Sequence, residues 1–311
     1  MSEVKVFGHL VPDTDATCAA IVYAWYLTNH KHVDARPYVL GNLNKEAEYV
    51  LNRFGHTQPR LLTSLEKDEV VVVVDTNNPE ELLSDFSNAS ILEIVDHHKL
   101  AGIKTASPVT VTLRPVACTC TIIWQIMAQE NHTDIPEDIA GLMLSSILSD
   151  TLNFTSPTVT AGDKDAAQAL ALLAKVEPNE LANAMFEAKS DISGMTAKEL
   201  IKMDGKVAIL GDKKILLSVI ETTRPGNVMS MHGDLVEAMQ VIKKEDSLDG
   251  LFFFIVDILT SSSQLIVPST FEQVVAEKGF EAAFEGDVLQ LPGVVSRKKQ
   301  MVPMIQKGIT G

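Results

Sequence analysis

The stretch Glu69-Val70-Val71-Val72-Val73-Val74-Asp75 sets five consecutive valines directly before a carboxylate. β-branched residues without polar alternation fit a strand buried on both faces, the condition of a central strand in a parallel sheet. Working outward, Val4 to Phe7 is a strand candidate, followed by a polar turn and a helical stretch from about Thr17 to Leu27. Downstream, Ile91 to Val95 is a further strand running into Asp96. Helical patterns follow from Cys118 to about Glu130 and from Pro136 to about Leu148. Strands alternating with helices predict an α/β fold, a parallel sheet covered by helices on both faces.

The pattern changes at Ala188-Lys-Ser-Asp-Ile-Ser-Gly-Met-Thr196, which is small, polar and broken by Gly194. This predicts a linker over 188–194 between a first domain, 1–187, and a smaller α/β domain, 195–311. The second domain has strand candidates at Lys206 to Leu210, Ile215 to Ile220, Phe252 to Ile258 and Gln264 to Val267. Its helix candidates are Asn227 to Lys244 and Phe271 to Lys278.

Of the 311 residues, 46% are hydrophobic and 22% charged, a globular composition. The net charge of −15 argues against a broad grip on nucleic acid, which needs a basic surface. No basic start leads into an apolar run at the N-terminus, and no stretch is apolar for long enough to span a bilayer, so neither a leader nor a membrane partner is expected. Three cysteines, Cys18, Cys118 and Cys120, suggest reduced thiols and a cytoplasmic location. Cys118 and Cys120 lack the second ligand pair of a zinc site and read as small side chains near a helix start.

Chemistry-bearing residues gather where strands end, as functional groups do in open parallel sheets. Gly8-His9-x-x-Pro12-Asp13-x-Asp15 follows the first strand, Asp75 ends the valine run, and Asp96-His97-His98 ends the third. Asp150 closes an apolar helix. Singly, each acid is an ordinary turn former or helix cap, and His9 an ordinary surface histidine. Together His9, Asp13, Asp15, Asp75, His97 and Asp150 offer two imidazoles and four carboxylates, an oxygen-rich set suited to Mn²⁺ or Mg²⁺. Such a set suffices for two ions with a bridging hydroxide that attacks phosphorus. A second cluster, Gly293-Val-Val-Ser-Arg297-Lys298-Lys299-Gln300, puts three cations in a row on an acidic chain. With Lys206 and a protonatable His98, Arg297 and Lys298 are candidates to bind phosphate. That predicts an active site in a cleft between the domains, closing on a small substrate rich in phosphate.

On these residues the sequence resembles the family II inorganic pyrophosphatases of the Asp-His-His phosphoesterase superfamily. The motifs GHLVPDTDATCAA, VVVVDTN, VDHHK, PVACTCTI and GLMLSSILSDTLNFTSPT carry the resemblance in the first domain, and ELIKMDGK, VDIL and VVSRKKQMVP in the second. The resemblance implies hydrolysis of pyrophosphate to two phosphates. It implies one metal on His9, Asp13 and Asp75, and another on Asp15, Asp75, His97 and Asp150, with Asp75 bridging. It gives His98 a substrate contact and a general-acid role, and Lys206, Arg297 and Lys298 the phosphates. Asp96 would orient a histidine. It further implies Mn²⁺ or Co²⁺ in the two sites, Mg²⁺ arriving with substrate, and a homodimer joined through the first domain. The short span from Asp75 to Asp96 leaves no room for the nucleotide-sensing insertion of some relatives. The competing expectations are a phosphoesterase acting on polyphosphate or short oligonucleotides, and a non-catalytic metal or phosphate sensor.

Overall fold

A computed structural model describes residues 3–310 and divides into two compact units, 1–189 and 190–311. Unit 1 contains, in chain order, β1 (Val4–Phe7), α1 (Thr14–His30), β2 (Ala35–Val39), α2 (Lys45–Arg53), β3 (Arg60–Leu61), β4 (Val70–Val74), β5 (Ser90–Asp96), β6 (Thr110–Leu113), α3 (Thr119–Gln129), α4 (Glu137–Asp150), α5 (Ala161–Ala174) and α6 (Pro178–Lys189). Its six strands form one sheet in the order β3-β2-β1-β4-β5-β6, and every pairing is parallel.

The valine run is β4, and it lies inside that sheet between β1 and β5. Val71, Val72, Val73 and Val74 are fully buried, as a strand covered on both faces requires. Burial of each side chain contributes about 1.5–3 kcal/mol. Among the described residues helices cover only one face, where α1 packs on β1 and β2 and against α3 and α4. The other face, where helices were expected too, is covered by loop residues. Leu62, Leu65, Leu82 and Phe86 pack there on Phe7, Val71, Val73 and Ile94. The connection from β4 to β5 holds only two single 3-10 turns, Pro79–Glu81 and Phe86–Asn88. β2, β3 and β6 were not legible in the sequence. β2 carries Pro37, which weakens the strand signal, but β3 pairs only with Tyr38 and Val39, beyond the proline.

Unit 2 contains α7 (Ala197–Met203), β7 (Gly205–Leu210), β8 (Lys213–Thr222), α8 (Pro225–Met229), α9 (His232–Glu245), β9 (Gly250–Asp257), β10 (Ser262–Ile266), α10 (Thr270–Phe280), β11 (Val288–Pro292) and α11 (Val302–Thr310). Its sheet runs β11-β10-β9-β8-β7, with β8 and β9 parallel and the other pairs antiparallel. Alternate residues of β9 enter two cores. Phe253 and Ile255 join Leu200, Leu235 and Met239, whereas Phe252 and Phe254 join Val275, Ala276 and Ile305. The helix expected from Asn227 to Lys244 is two helices. The Ser230 hydroxyl donates back to the Asn227 carbonyl at 2.7 Å, a local bond that competes with helix continuation. Among the described residues no helix is long and apolar enough to cross a membrane.

Gly8 sets how closely β1 approaches the first turn of α1. A Cβ at Gly8 would lie 2.7 Å from the Ala16 Cβ. Gly8→Ala is therefore expected to destabilise the chain by about 1–3 kcal/mol through overpacking. Urea unfolding measures this, and an unchanged midpoint would refute the tight contact.

Candidate metal centre

β1 and β4 are neighbours, yet the chain leaves β1 toward β2 on one side and leaves β4 toward β5 on the other. This reversal opens a crevice at the carboxyl ends of the two strands. A cavity of about 830 Å³ lies there, lined by His9, Asp13, Asp75, His97, His98 and Asp150 among others.

Asp75 occupies the switch point. Its backbone is left-handed, with φ of 59° and its N–H donating to the Val95 carbonyl at 3.0 Å. Aspartate tolerates that conformation better than most residues. Its carboxylate faces two ways, with Oδ2 3.5 Å from His9 Nε2 and Oδ1 3.3 Å from His97 Nε2. His9 follows β1, and the next residue, Leu10, donates its N–H to the Glu81 carbonyl at 2.8 Å, tying this loop to the turn beyond β4. Asp13 has two uses. One oxygen caps α1 by accepting from Ala16 N at 3.0 Å, and the other lies 3.7 Å from His9 Nε2. The cap reading and the ligand reading of Asp13 are thus compatible, because a carboxylate has two oxygens.

Asp15 is fully buried in the first turn of α1. It accepts from Thr119 N at 2.6 Å, Cys120 N at 3.3 Å, Cys118 Sγ at 3.2 Å and Ser146 Oγ at 2.6 Å. The free amides and positive dipole end of α3 therefore meet this carboxylate. Asp150, the last residue of α4, lies with Oδ2 4.0 Å from His97 Nε2. The His97 Nδ1 is 3.2 Å from the Val116 carbonyl. A carbonyl only accepts, so Nδ1 carries a proton and Nε2 is the nitrogen that could hold an ion. His98 Nδ1 sits 2.9 Å from Asp96 Oδ1. Asp96 in turn is held by the Asn77 side-chain amide.

Among the described residues, three sets of groups converge closely enough to share an ion: His9, Asp13 and Asp75; Asp15, His97 and Asp150; and Asp75, His97 and His98. Within each, the candidate ligand atoms lie within 4.8 Å of one another. The donors are carboxylate oxygens and imidazole nitrogens, which fits a divalent ion of the manganese or magnesium kind. The electrostatics of the metal-free cluster agree. Burial, then the charge of Asp15, pushes the Asp75 carboxyl up to about 6. Burial and Asp15 push the Asp150 carboxyl up as well. Burial would lower His9, but hydrogen bonds to Asp13 and Asp75 raise it to about 10. His97 is raised to about 9 against its burial by Asp75 and Asp15. Burial opposes ionisation of Asp15, yet His97 and its hydrogen-bond donors hold it below the usual range. Protons thus occupy the cluster where cations fit.

The cations predicted from the sequence lie in unit 2. Lys206, Arg297 and Lys298 line a groove of about 450 Å³ with Asp204 and Glu221. Arg297 begins a single π-helical turn, Arg297–Met301, and its Nη2 pairs with Asp204. Its Nε and Nη1 are buried without a hydrogen-bond partner. Gln300 braces the preceding loop, accepting from Val295 N and Ser296 N at 3.0 and 2.9 Å and donating to Gly293 O at 2.7 Å.

Several supporting residues were not singled out from the sequence. Thr119 Oγ1 donates to Asp75 Oδ1 at 3.0 Å, and Ser146 reaches Asp15 across helices. Hydroxyls at helix positions give no pattern. Asn77, two residues beyond Asp75, was the nearest to a legible signal. Cys118 and Cys120 are buried free thiols at the start of α3, as their bland reading has it.

Comparison with known proteins agrees with this architecture. The model of the DHH family N-terminal domain matches residues 3–147, and that of the DHHA2 domain matches 183–307. The "Probable manganese-dependent inorganic pyrophosphatase" of Deinococcus radiodurans is 42% identical, with 98% of each chain covered. The "Manganese-dependent inorganic pyrophosphatase" of Bacillus subtilis is 38% identical, again over 98% of both chains. Among solved structures, the Methanococcus jannaschii "putative family II inorganic pyrophosphatase" is similar with a TM-score of 0.65 and 32% identity, over 99% of this chain and 100% of the other. With both domain models matched and such relatives aligned end to end, this chain belongs to the manganese-dependent, family II inorganic pyrophosphatases.

Proposed function

We propose that this chain hydrolyses inorganic pyrophosphate to two phosphates, with divalent ions held by His9, Asp13, Asp15, Asp75, His97 and Asp150. One observation carries the reading: the Asp75 carboxylate lies between His9 and His97 with a different oxygen toward each. Full-length relatives named as manganese-dependent pyrophosphatases support the substrate and the choice of Mn²⁺; we keep Co²⁺ as an alternative and Mg²⁺ as an ion carried by the substrate. Bound ions supply Lewis acidity, which activates water and offsets phosphate charge.

The remaining work falls to the chain. His98 hands a proton to the leaving phosphate through Nε2, because Asp96 occupies Nδ1. The bond to Asp96 raises the His98 pKa against its partial burial, which favours the acid form. Lys206, Arg297 and Lys298 bind the phosphate oxygens. The unpartnered Nε and Nη1 of Arg297 support this, since they leave guanidinium N–H donors free for phosphate oxygens. We further place the chain in the cytoplasm as a homodimer joined through unit 1. Three free buried cysteines support a reducing compartment.

The deciding assay measures phosphate release from pyrophosphate, tripolyphosphate and a dinucleotide after chelation and re-addition of Mn²⁺, Co²⁺, Zn²⁺ or Mg²⁺. Pyrophosphate turnover restored by Mn²⁺ is expected, with Asp75→Asn lowering it by at least about 100-fold. Asparagine also accepts the left-handed backbone, so the loss reports the carboxylate rather than the turn. Preferred cleavage of tripolyphosphate or the dinucleotide would overturn the substrate assignment. Asp13→Asn separates the two uses of that residue. Asparagine caps as well as aspartate, so stability should move by less than about 0.5 kcal/mol while Mn²⁺ affinity drops by roughly tenfold or more. Unaltered Mn²⁺ affinity would leave Asp13 a cap alone. Protonated His9 and His97 must lose their protons to ligate a metal, so Mn²⁺ binding at pH 7 should release about two protons and weaken as pH falls. Calorimetry in buffers of different ionisation enthalpy reads this, and a buffer-independent heat would reject it.

A further inference from the structure

Asp163 belongs to none of the groups above, yet it is fully buried. It anchors a segment on which three site residues rest. In 116–120, the Val116 carbonyl accepts from His97 Nδ1, Thr119 N and Cys120 N donate to Asp15, and the Thr119 hydroxyl donates to Asp75. Ala117 N donates to both Asp163 oxygens at 3.2 Å. The Val116 C=O and the Ala117 N–H belong to one trans peptide unit and point in opposite directions. The peptide is therefore gripped by a carboxylate on one side and meets the His97 ring with the other.

We propose that Asp163 is a positioning residue for His97, acting through the Val116–Ala117 peptide. The proposal rests on the functional reading above for what His97 ligates. A carboxylate that accepts from an amide polarises the peptide and strengthens its carbonyl as an acceptor. The carbonyl then holds the imidazole in one tautomer and one orientation, the role that carboxylates and carbonyls play behind metal-bound histidines.

A purely structural role for Asp163 accounts for only part of its contacts. In the capping box of α5, Asp163 Oδ2 accepts from Thr160 N at 2.8 Å and Thr160 Oγ1 at 2.7 Å. Helix capping needs neither Ala117 nor Thr121, whose hydroxyl donates to Oδ1 at 2.7 Å from α3. These two contacts bind the start of α3 to the start of α5. They hold the peptide on which His97 rests.

The test compares the full-length wild type with Asp163→Asn and Thr160→Ala. Asp163→Asn removes the charge behind the peptide, whereas Thr160→Ala weakens the capping box and leaves the Ala117 contact in place. Each chain is titrated with Mn²⁺ alone, and the metal-free chains are examined by NMR for the His97 Nδ1–H proton. In Asp163→Asn, one of the two Mn²⁺ dissociation constants should rise about 10–100-fold and the Nδ1–H resonance should shift or vanish. Thr160→Ala should lower the unfolding midpoint while both constants stay within about twofold of wild type and the resonance is unmoved. Identical constants and an unmoved resonance in Asp163→Asn would overturn the proposal, as would equal shifts in Thr160→Ala. If Asp163→Asn does not fold, Thr121→Val is read in the same way, with a shift in the same direction expected and none overturning it. A wild type that binds no Mn²⁺ would defeat the functional reading, and the resonance would then decide the positioning role by itself.

Discussion

Buried negative charge is the constraint around which unit 1 is built. Asp15 and Asp75 lie almost fully out of water, with Asp13 and Asp150 beside them. Like charges in such a place repel and resist desolvation, so each needs a counter-charge or a set of donors. Asp15 has the amides and dipole of α3 together with Ser146 and Cys118. Asp75 has two histidines and the Thr119 hydroxyl. Without metal the remainder is met by protons on the two imidazoles, while burial and Asp15 push the Asp150 carboxyl up. A pair of divalent cations meets the same demand without them, so affinity for metal follows from the fold's own electrostatics.

The sheet topology concentrates these groups. Because the strand order reverses between β1 and β4, the residues after both strands face one crevice, and β5 adds two histidines from the next position. Rigid strands then fix where each of these side chains begins. The left-handed turn at Asp75 directs its carboxylate between the histidines, and the Gly8 contact with Ala16 brings Asp13 and Asp15 on α1 close behind. Loops rather than helices cover the opposite face of the sheet, and one of them, the turn at Glu81, also pins the loop that carries His9.

Unit 2 solves a different problem, the display of positive charge on an acidic chain. Its sheet is packed on both faces, with the phenylalanines of β9 divided between two cores. On that scaffold a single π-helical turn carries Arg297 and Lys298, and Gln300 closes the loop before it. The guanidinium is only partly satisfied by Asp204, which leaves donors for an anionic ligand.

The sequence alone determined the central strand, through five β-branched valines that fit a strand buried on both faces, and the identity of the acids and histidines that follow strands. Strand-end residues are legible because hydrophobic periodicity marks the strand and the polar residue marks its end. β2, β3, β6 and β11 escaped because short strands at or near sheet edges carry little periodicity, and the split between α8 and α9 falls where the Ser230 hydroxyl bonds back to the Asn227 carbonyl. Only the tertiary structure decided that Asp13 both caps and faces His9, that α3 presents its amides to Asp15, and that Asp163 stands behind His97. The last two depend on hydrogen bonds between segments far apart in the chain, whose direction is set by how helices and loops pack and leaves no local trace in residue order, whereas the double use of Asp13 is local and turns on how its two oxygens are shared.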